Sequence, residues 1–212
     1  MKQETDYLKD ISEIRSIMER SSRFISLSGL TGVFAGIYAL IGAYVAYEIA
    51  YLDGKWLYRR EIETGFTEVS WLLILDGVVV LALALATGIY FTARRAAKNN
   101  QKIWDKSSKM MITHLLIPLA TGGCFSLILI YWGFPGMVAP ITLIFYGLSL
   151  VNASKYVIGD IQYLGYLEIV LGLIASIFLG YGLLFWAIGF GLLHIFYGLV
   201  MYNKYERKKE KN

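Results

Sequence analysis

Gly165–Gly198 reads GYLEIVLGLIASIFLGYGLLFWAIGFGLLHIFYG. It is two apolar runs joined by Gly180-Tyr181-Gly182, a turn signal. Each run carries one titratable residue, and both sit in the same glycine frame: Gly165-x-x-Glu168-x-x-x-Gly172 and Gly191-x-x-His194-x-x-x-Gly198. Each lies 13 positions from Tyr181. In an antiparallel helical hairpin that is one shared depth, about 20 Å from the turn at 1.5 Å per residue.

Outward from this hairpin the chain stays apolar. Of its 212 residues 57% are hydrophobic, and the mean hydropathy is +0.53. A soluble domain needs more polar surface than that. Several windows hold about 20 apolar residues with almost no charge, the length that crosses the hydrocarbon core. The composition predicts one all-α, polytopic membrane domain with six transmembrane helices. None of these windows alternates polar and apolar residues as an outer-membrane strand does. The net charge of +4 comes from the loops, where it reports topology rather than nucleic-acid binding. Cys124 is the single cysteine; it excludes an intrachain disulfide, and nothing near it would activate a thiolate.

Residues 1–23 are too charged for a signal peptide. Tyr7, Ile11, Ile14 and Met18 recur at helical spacing, and Lys9/Glu13, Arg15/Glu19 and Glu19/Arg23 pair at i,i+4. This is a cytoplasmic amphipathic helix or a solvated lead-in. The transmembrane domain is expected over 24–203, with spans at Phe24–Tyr47, Trp71–Thr92, Met110–Trp132 and Met137–Lys155 before the hairpin. Residues 204–212 form a basic cytoplasmic tail. In the first span Ser28, Gly32 and Gly36 make a small-residue stripe for close helix approach. In the third, Pro118 has no N–H to offer the carbonyl of His114, which is left free. With the N-terminus inside, 17 of the 20 Lys and Arg residues are cytoplasmic, and Lys55, Arg59 and Arg60 are outside.

IFYGL occurs at Ile144–Leu148 and again at Ile195–Leu199. Either the chain is three helical hairpins, 1-2, 3-4 and 5-6, or apolar segments coincide by chance. The six short spans, the glycine-rich hairpins, IFYGL and LGLI at Leu171–Ile174 resemble uncharacterised six-span bacterial inner-membrane proteins. They are loosely similar to the HdeD-like acid-resistance membrane proteins. The resemblance covers all the spans and implies an inner-membrane, stress-related role. No catalytic motif matches, so it assigns no functional residue.

Ionisable groups inside spans are candidates for function: Asp76, His114, Glu168 and His194. Glu168 and His194, each framed by glycines, are expected to point at a neighbouring helix and to meet directly or through one water. They read as a buried acid–base pair trading a proton, or as an interhelical hydrogen bond. Asp76 is expected either in an outer vestibule or paired with another span. His114 is expected to be interfacial and hydrogen-bonded. H-x-x-H, C-x-x-C, H-E-x-x-H, G-x-S-x-G and P-loop patterns are missing, so no metal, no cofactor and no soluble catalytic domain is expected. The expected partners are the lipid bilayer and its anionic headgroups, with homo-oligomerisation open and no nucleic acid. Two functions stay open: a non-enzymatic structural, interaction or stress-related membrane protein, and a small proton-linked transporter or channel using Glu168 and His194. A membrane-embedded enzyme comes third.

Overall fold

A helix that is apolar on every side has no face for water and needs lipid or protein around it. Among the described residues five segments are of that kind and long enough to cross a bilayer: Gly29–Ala50, Glu68–Lys98, Lys106–Tyr131, Pro135–Tyr156 and Leu179–Tyr205. Such helices suit a multi-pass membrane protein. The computed structural model describes residues 28–51, 64–98, 104–157 and 160–206. The amphipathic helix expected over 1–23, most of the loop after the first span and residues 207–212 lie outside the described residues.

The elements are α1 (Gly29–Tyr51), α2 (Glu68–Lys98), α3 (Lys106–Tyr131), α4 (Val138–Ala153) and α5 (Ile161–Ile177). The last helix, α6, joins an α-helical turn Gly182–Trp186, a π-helical stretch Ala187–Leu193 and an α-helical end His194–Tyr205. Helix α5 has 17 residues, about 25 Å at 1.5 Å per residue against roughly 30 Å of hydrocarbon. It is thus shorter than the five segments above, where the sequence reading expected six spans. The second span also outruns its predicted end at Thr92. Arg95 and Lys98 sit in the last turn of α2, where cations favour the helix C-terminus. Helix α3 opens with a capping box: Ser108 N–H donates to Asp105 Oδ1 at 2.7 Å, and Asp105 N–H donates to Ser108 Oγ at 2.9 Å. Between α3 and α4 the chain turns at Gly133, whose φ of +78° is open to glycine at little cost.

Neighbours in sequence are not always neighbours in space. Helix α1 packs on α2 and, at the other flank, on α6; α4 packs on α3 and α5. The closest packing of α5 is thus with α4, and that of α6 with α1. The glycine frames explain this partition. A Cβ added at Gly165 would lie 2.8 Å from the carbonyl oxygen of Gly147 in α4. One at Gly198 would lie 2.6 Å from that of Gly29 in α1. Gly172 likewise faces Pro140 and Ile144 of α4, and Gly32 and Gly36 face His194, Gly198 and Gly191 of α6. Gly191 abuts Leu40 of α1. Backbones meet where side chains are missing, so two glycine seams, α1–α6 and α4–α5, hold the bundle. The α5–α6 hairpin of the sequence is opened to receive them.

One end of the α1–α6 seam is closed by a charge. Glu206 Oε1 accepts from the Gly29 N–H at 2.7 Å and from Arg95 Nη1 at 3.2 Å, and Ser28 Oγ donates to both carboxylate oxygens at 3.2 Å. A carboxylate from the end of α6 thereby caps the first turn of α1, where orphan N–H groups and the helix dipole favour an anion. Glu206→Ala is expected to lower stability by about 1–2 kcal/mol, the range for a lost cap, in thermal melts of detergent-purified protein. A melt unchanged from wild type would show that the cap contributes nothing.

Candidate functional site

The seams leave the polar residues of three helices facing one another at mid-bundle. Glu168 of α5 is 0% exposed and His194 of α6 is 6% exposed. His194 Nδ1 lies 3.4 Å from Glu168 Oε1. The same Nδ1 is 3.0 Å from the carbonyl oxygen of Gly189. A carbonyl only accepts, so Nδ1 carries the hydrogen and points between Gly189 and Glu168. On the other side of the ring, Nε2 is 2.8 Å from the hydroxyl of Tyr146 in α4. A tyrosine hydroxyl donates or accepts. This contact therefore survives whether Nε2 bears a proton or not.

Local backbone makes the cluster possible. Gly189 lies in the π-helical stretch that directly precedes His194. A π turn widens the helix and is found often at functional sites. Here the histidine side chain reaches back five residues to the Gly189 carbonyl. Gly189 also makes room: a Cβ there would lie 2.5 Å from Glu168 Oε2 and 2.5 Å from Leu143 Cδ2. Phe190 of the same stretch stacks on the His194 ring at 18° and 5.9 Å, and touches Tyr146 and Trp186, each at 4.9 Å between centroids.

The hydrogen bonds are unevenly shared. His194 and Tyr146 are partnered. Neither oxygen of Glu168 has a hydrogen-bond partner among the described residues; the 3.4 Å approach of Nδ1 is an electrostatic contact only. A fully buried carboxyl in this state is rare, because buried polar groups are nearly always paired. The nearest polar side chain to it is His194, at 3.4 Å.

The other two titratable candidates do not touch this pair. His114 of α3 places Nε2 3.0 Å from the Tyr156 hydroxyl and stacks on that ring at 22° and 4.9 Å. Its backbone carbonyl, deprived of a donor by Pro118, accepts from Asn152 Nδ2 at 3.2 Å. The proline's loss thus becomes a tie between α3 and α4. Asp76 of α2 lies against α1, where a Cβ added at Gly42 would be 3.5 Å from its Oδ2. Among the described residues no group of three or more His, Cys, Asp and Glu side chains gathers as a metal site.

Three members of the site were missing from the sequence reading: Tyr146, Gly189 and the π-helical stretch. A signal for the tyrosine existed. IFYGL occurs twice, and in both copies the glycine enters a backbone seam, Gly147 against Gly165 and Gly198 against Gly29. The preceding tyrosines, Tyr146 and Tyr197, then both pack against the buried trio Leu150, Ile161 and Leu164. Compared with protein-family models, curated proteins and solved structures, the chain matches none.

Proposed function

We propose that the chain is a six-span protein of the bacterial inner membrane and a small proton-linked transporter or channel, not an enzyme. The observation that carries this reading is Glu168, fully buried, with both oxygens unpartnered among the described residues, beside His194 at 3.4 Å. A purely structural cross-link gains by satisfying its acceptors, and leaving them bare costs about 1–3 kcal/mol. A carboxyl that must exchange a proton has reason to stay bare. In this reading Glu168 takes the proton, and His194 passes it on or holds the balancing charge. The Tyr146 hydroxyl keeps the ring oriented in either state of Nε2. The second reading, a structural, interaction or stress-related role, is favoured by the closed Tyr146–His194–Gly189 chain that ties α4 to α6.

In this proposal α5 is the sixth span, its short helix supplemented by thinning of the bilayer around it. Both termini are cytoplasmic, on the strength of 17 of 20 basic residues falling on that side. Anionic lipid meets the basic segment around Arg94–Lys109. Introduced cysteines test the topology on a Cys124→Ser background. Lys55→Cys should react with an impermeant thiol reagent in intact cells, and Lys2→Cys should not; the reverse pattern overturns the orientation. For the function, purified protein is placed in liposomes of phosphatidylethanolamine and phosphatidylglycerol under a pH gradient. Proton flux that Glu168→Gln abolishes supports the proton-linked reading. No flux from wild type leaves the structural role.

A further inference from the structure

Resting on the proton-linked reading, we infer that Glu168 is reached from one side only, and that the Tyr197 hydroxyl is the relay on that route. The faces of α5 and α6 meet at two levels. At mid-bundle they meet through Glu168 and His194. At the end of the bundle they meet through Asp160 and Lys204, an ion pair whose side chains are 43% and 50% exposed. Between these levels, His194, Tyr197, Met201 and Lys204 follow at i, i+3, i+7 and i+10, one face of a helix. Glu168, Leu164 and Ile161 descend the facing side of α5 in the same way. The interval is about 15 Å along α6.

The Tyr197 hydroxyl sits inside this interval. It is buried and has no hydrogen-bond partner among the described residues, the same condition as the Glu168 oxygens. Its counterpart in the other IFYGL copy, Tyr146, is bonded to His194; Tyr197 has kept its hydroxyl with no such return. Its ring needs no hydroxyl to pack on Leu150, Ile161 and Leu164. Two unsatisfied buried polar groups on facing helices, with a solvent-exposed ion pair beneath them, mark a line for transient water.

The opposite side of Glu168 is closed. Leu143 and Leu171 border the Gly189 cradle, and Phe190 and Trp186 stack beyond it. Thr142 and Ser176 on that side bond their own helix backbones. The titratable groups facing the route are Tyr146 from α4, Asp160 and Glu168 from α5, and His194, Tyr197, Lys204 and Tyr205 from α6.

The transfer balances. A hydrated proton arriving at the Asp160–Lys204 end forms an O–H bond on the Tyr197 oxygen while the original Tyr197 O–H breaks toward the next water. That water delivers a proton to Glu168, leaving a carboxylic acid and an unchanged tyrosine.

The test is time-resolved infrared spectroscopy of the full chain in phosphatidylethanolamine–phosphatidylglycerol vesicles after a drop in pH. The signal is the carboxylic-acid carbonyl band that Glu168→Gln removes. Tyr197→Phe keeps the ring and deletes only the hydroxyl. It should slow the appearance of that band about a hundredfold, the scale of a positioned proton-transfer group, with thermal stability equal to wild type or higher. Thr142→Val, on the closed side, should leave the rate unchanged. A wild-type rate in Tyr197→Phe overturns the relay while leaving the proton-linked reading in place. A Glu168 band that never appears in wild type overturns both. A slowed rate with an equal loss of stability overturns the relay in favour of packing.

Discussion

Glu168→Leu is expected to make the protein more stable. The leucine fills nearly the same volume, and no donor is stranded. His194 Nδ1–H keeps the Gly189 carbonyl, and Nε2 keeps Tyr146. What disappears is a buried carboxyl with neither oxygen paired among the described residues. Relief of such a group is worth about 1–3 kcal/mol, gained here as apolar contact with Leu143 and Leu171. His194→Leu should move stability the other way by a similar amount, because it strands the Tyr146 hydroxyl and the Gly189 carbonyl together. Thermal unfolding in detergent measures both. Opposite signs would identify Glu168 as a residue held at a cost to stability, the pattern of a working site. Equal losses from the two variants would make the carboxyl a structural tie.

Gly198→Val should pry the α1–α6 seam apart. A Cβ there lies 2.6 Å from the Gly29 carbonyl oxygen and 2.6 Å from the Val33 nitrogen. Both are backbone atoms, which have no rotamer to retreat into. The helices α1 and α6 must therefore part along their length, at a cost of about 3 kcal/mol or more, the upper range for overpacking. Parting them also withdraws α1 from behind His194, since Gly32 packs on the His194 carbonyl. Gly77→Ala and Gly123→Ala are the controls. Nothing within 4 Å meets a Cβ at either position, so their melts should match wild type or rise by the helix preference of alanine over glycine, about 1 kcal/mol at most. Losses as large as those of Gly198→Val at the control sites would locate the effect in helix propensity or lipid contact rather than in the seam.

Sequence and structure agree most where physics is local. Apolar windows of span length are each decided by a run of adjacent residues. So is the orphaned carbonyl of His114, although its acceptance of Asn152 needed the fold. The meeting of Glu168 and His194 was readable because both sit the same distance from one turn. The glycines framing Glu168 pack on α4 and those framing His194 on α1. Glycine spacing announces close approach but carries no name for the partner. The π-helical stretch was invisible, because Ala187–Leu193 differs in composition from no other glycine-rich apolar run in the chain. Its neighbours come from three helices at once, Leu40 of α1 against Gly191 and Leu143 of α4 and Glu168 of α5 against Gly189.

The α1–α6 seam also sets a timetable for making the protein. Ser28 and Glu206, which close it, are 178 positions apart. At about 5–20 residues per second, α1 waits roughly 10 to 35 s between its own synthesis and that of its capping carboxylate. Meanwhile α3, α4 and α5 emerge in succession and can dock as neighbours. For that interval the glycine stripe of α1 faces lipid or an insertion chaperone, and Glu168, made 26 residues before His194, waits about 1 to 5 s for its histidine. A nascent chain stalled before α6 would therefore present two unfinished surfaces to the quality-control proteases of its membrane, and the last helix to arrive is the one that hides both.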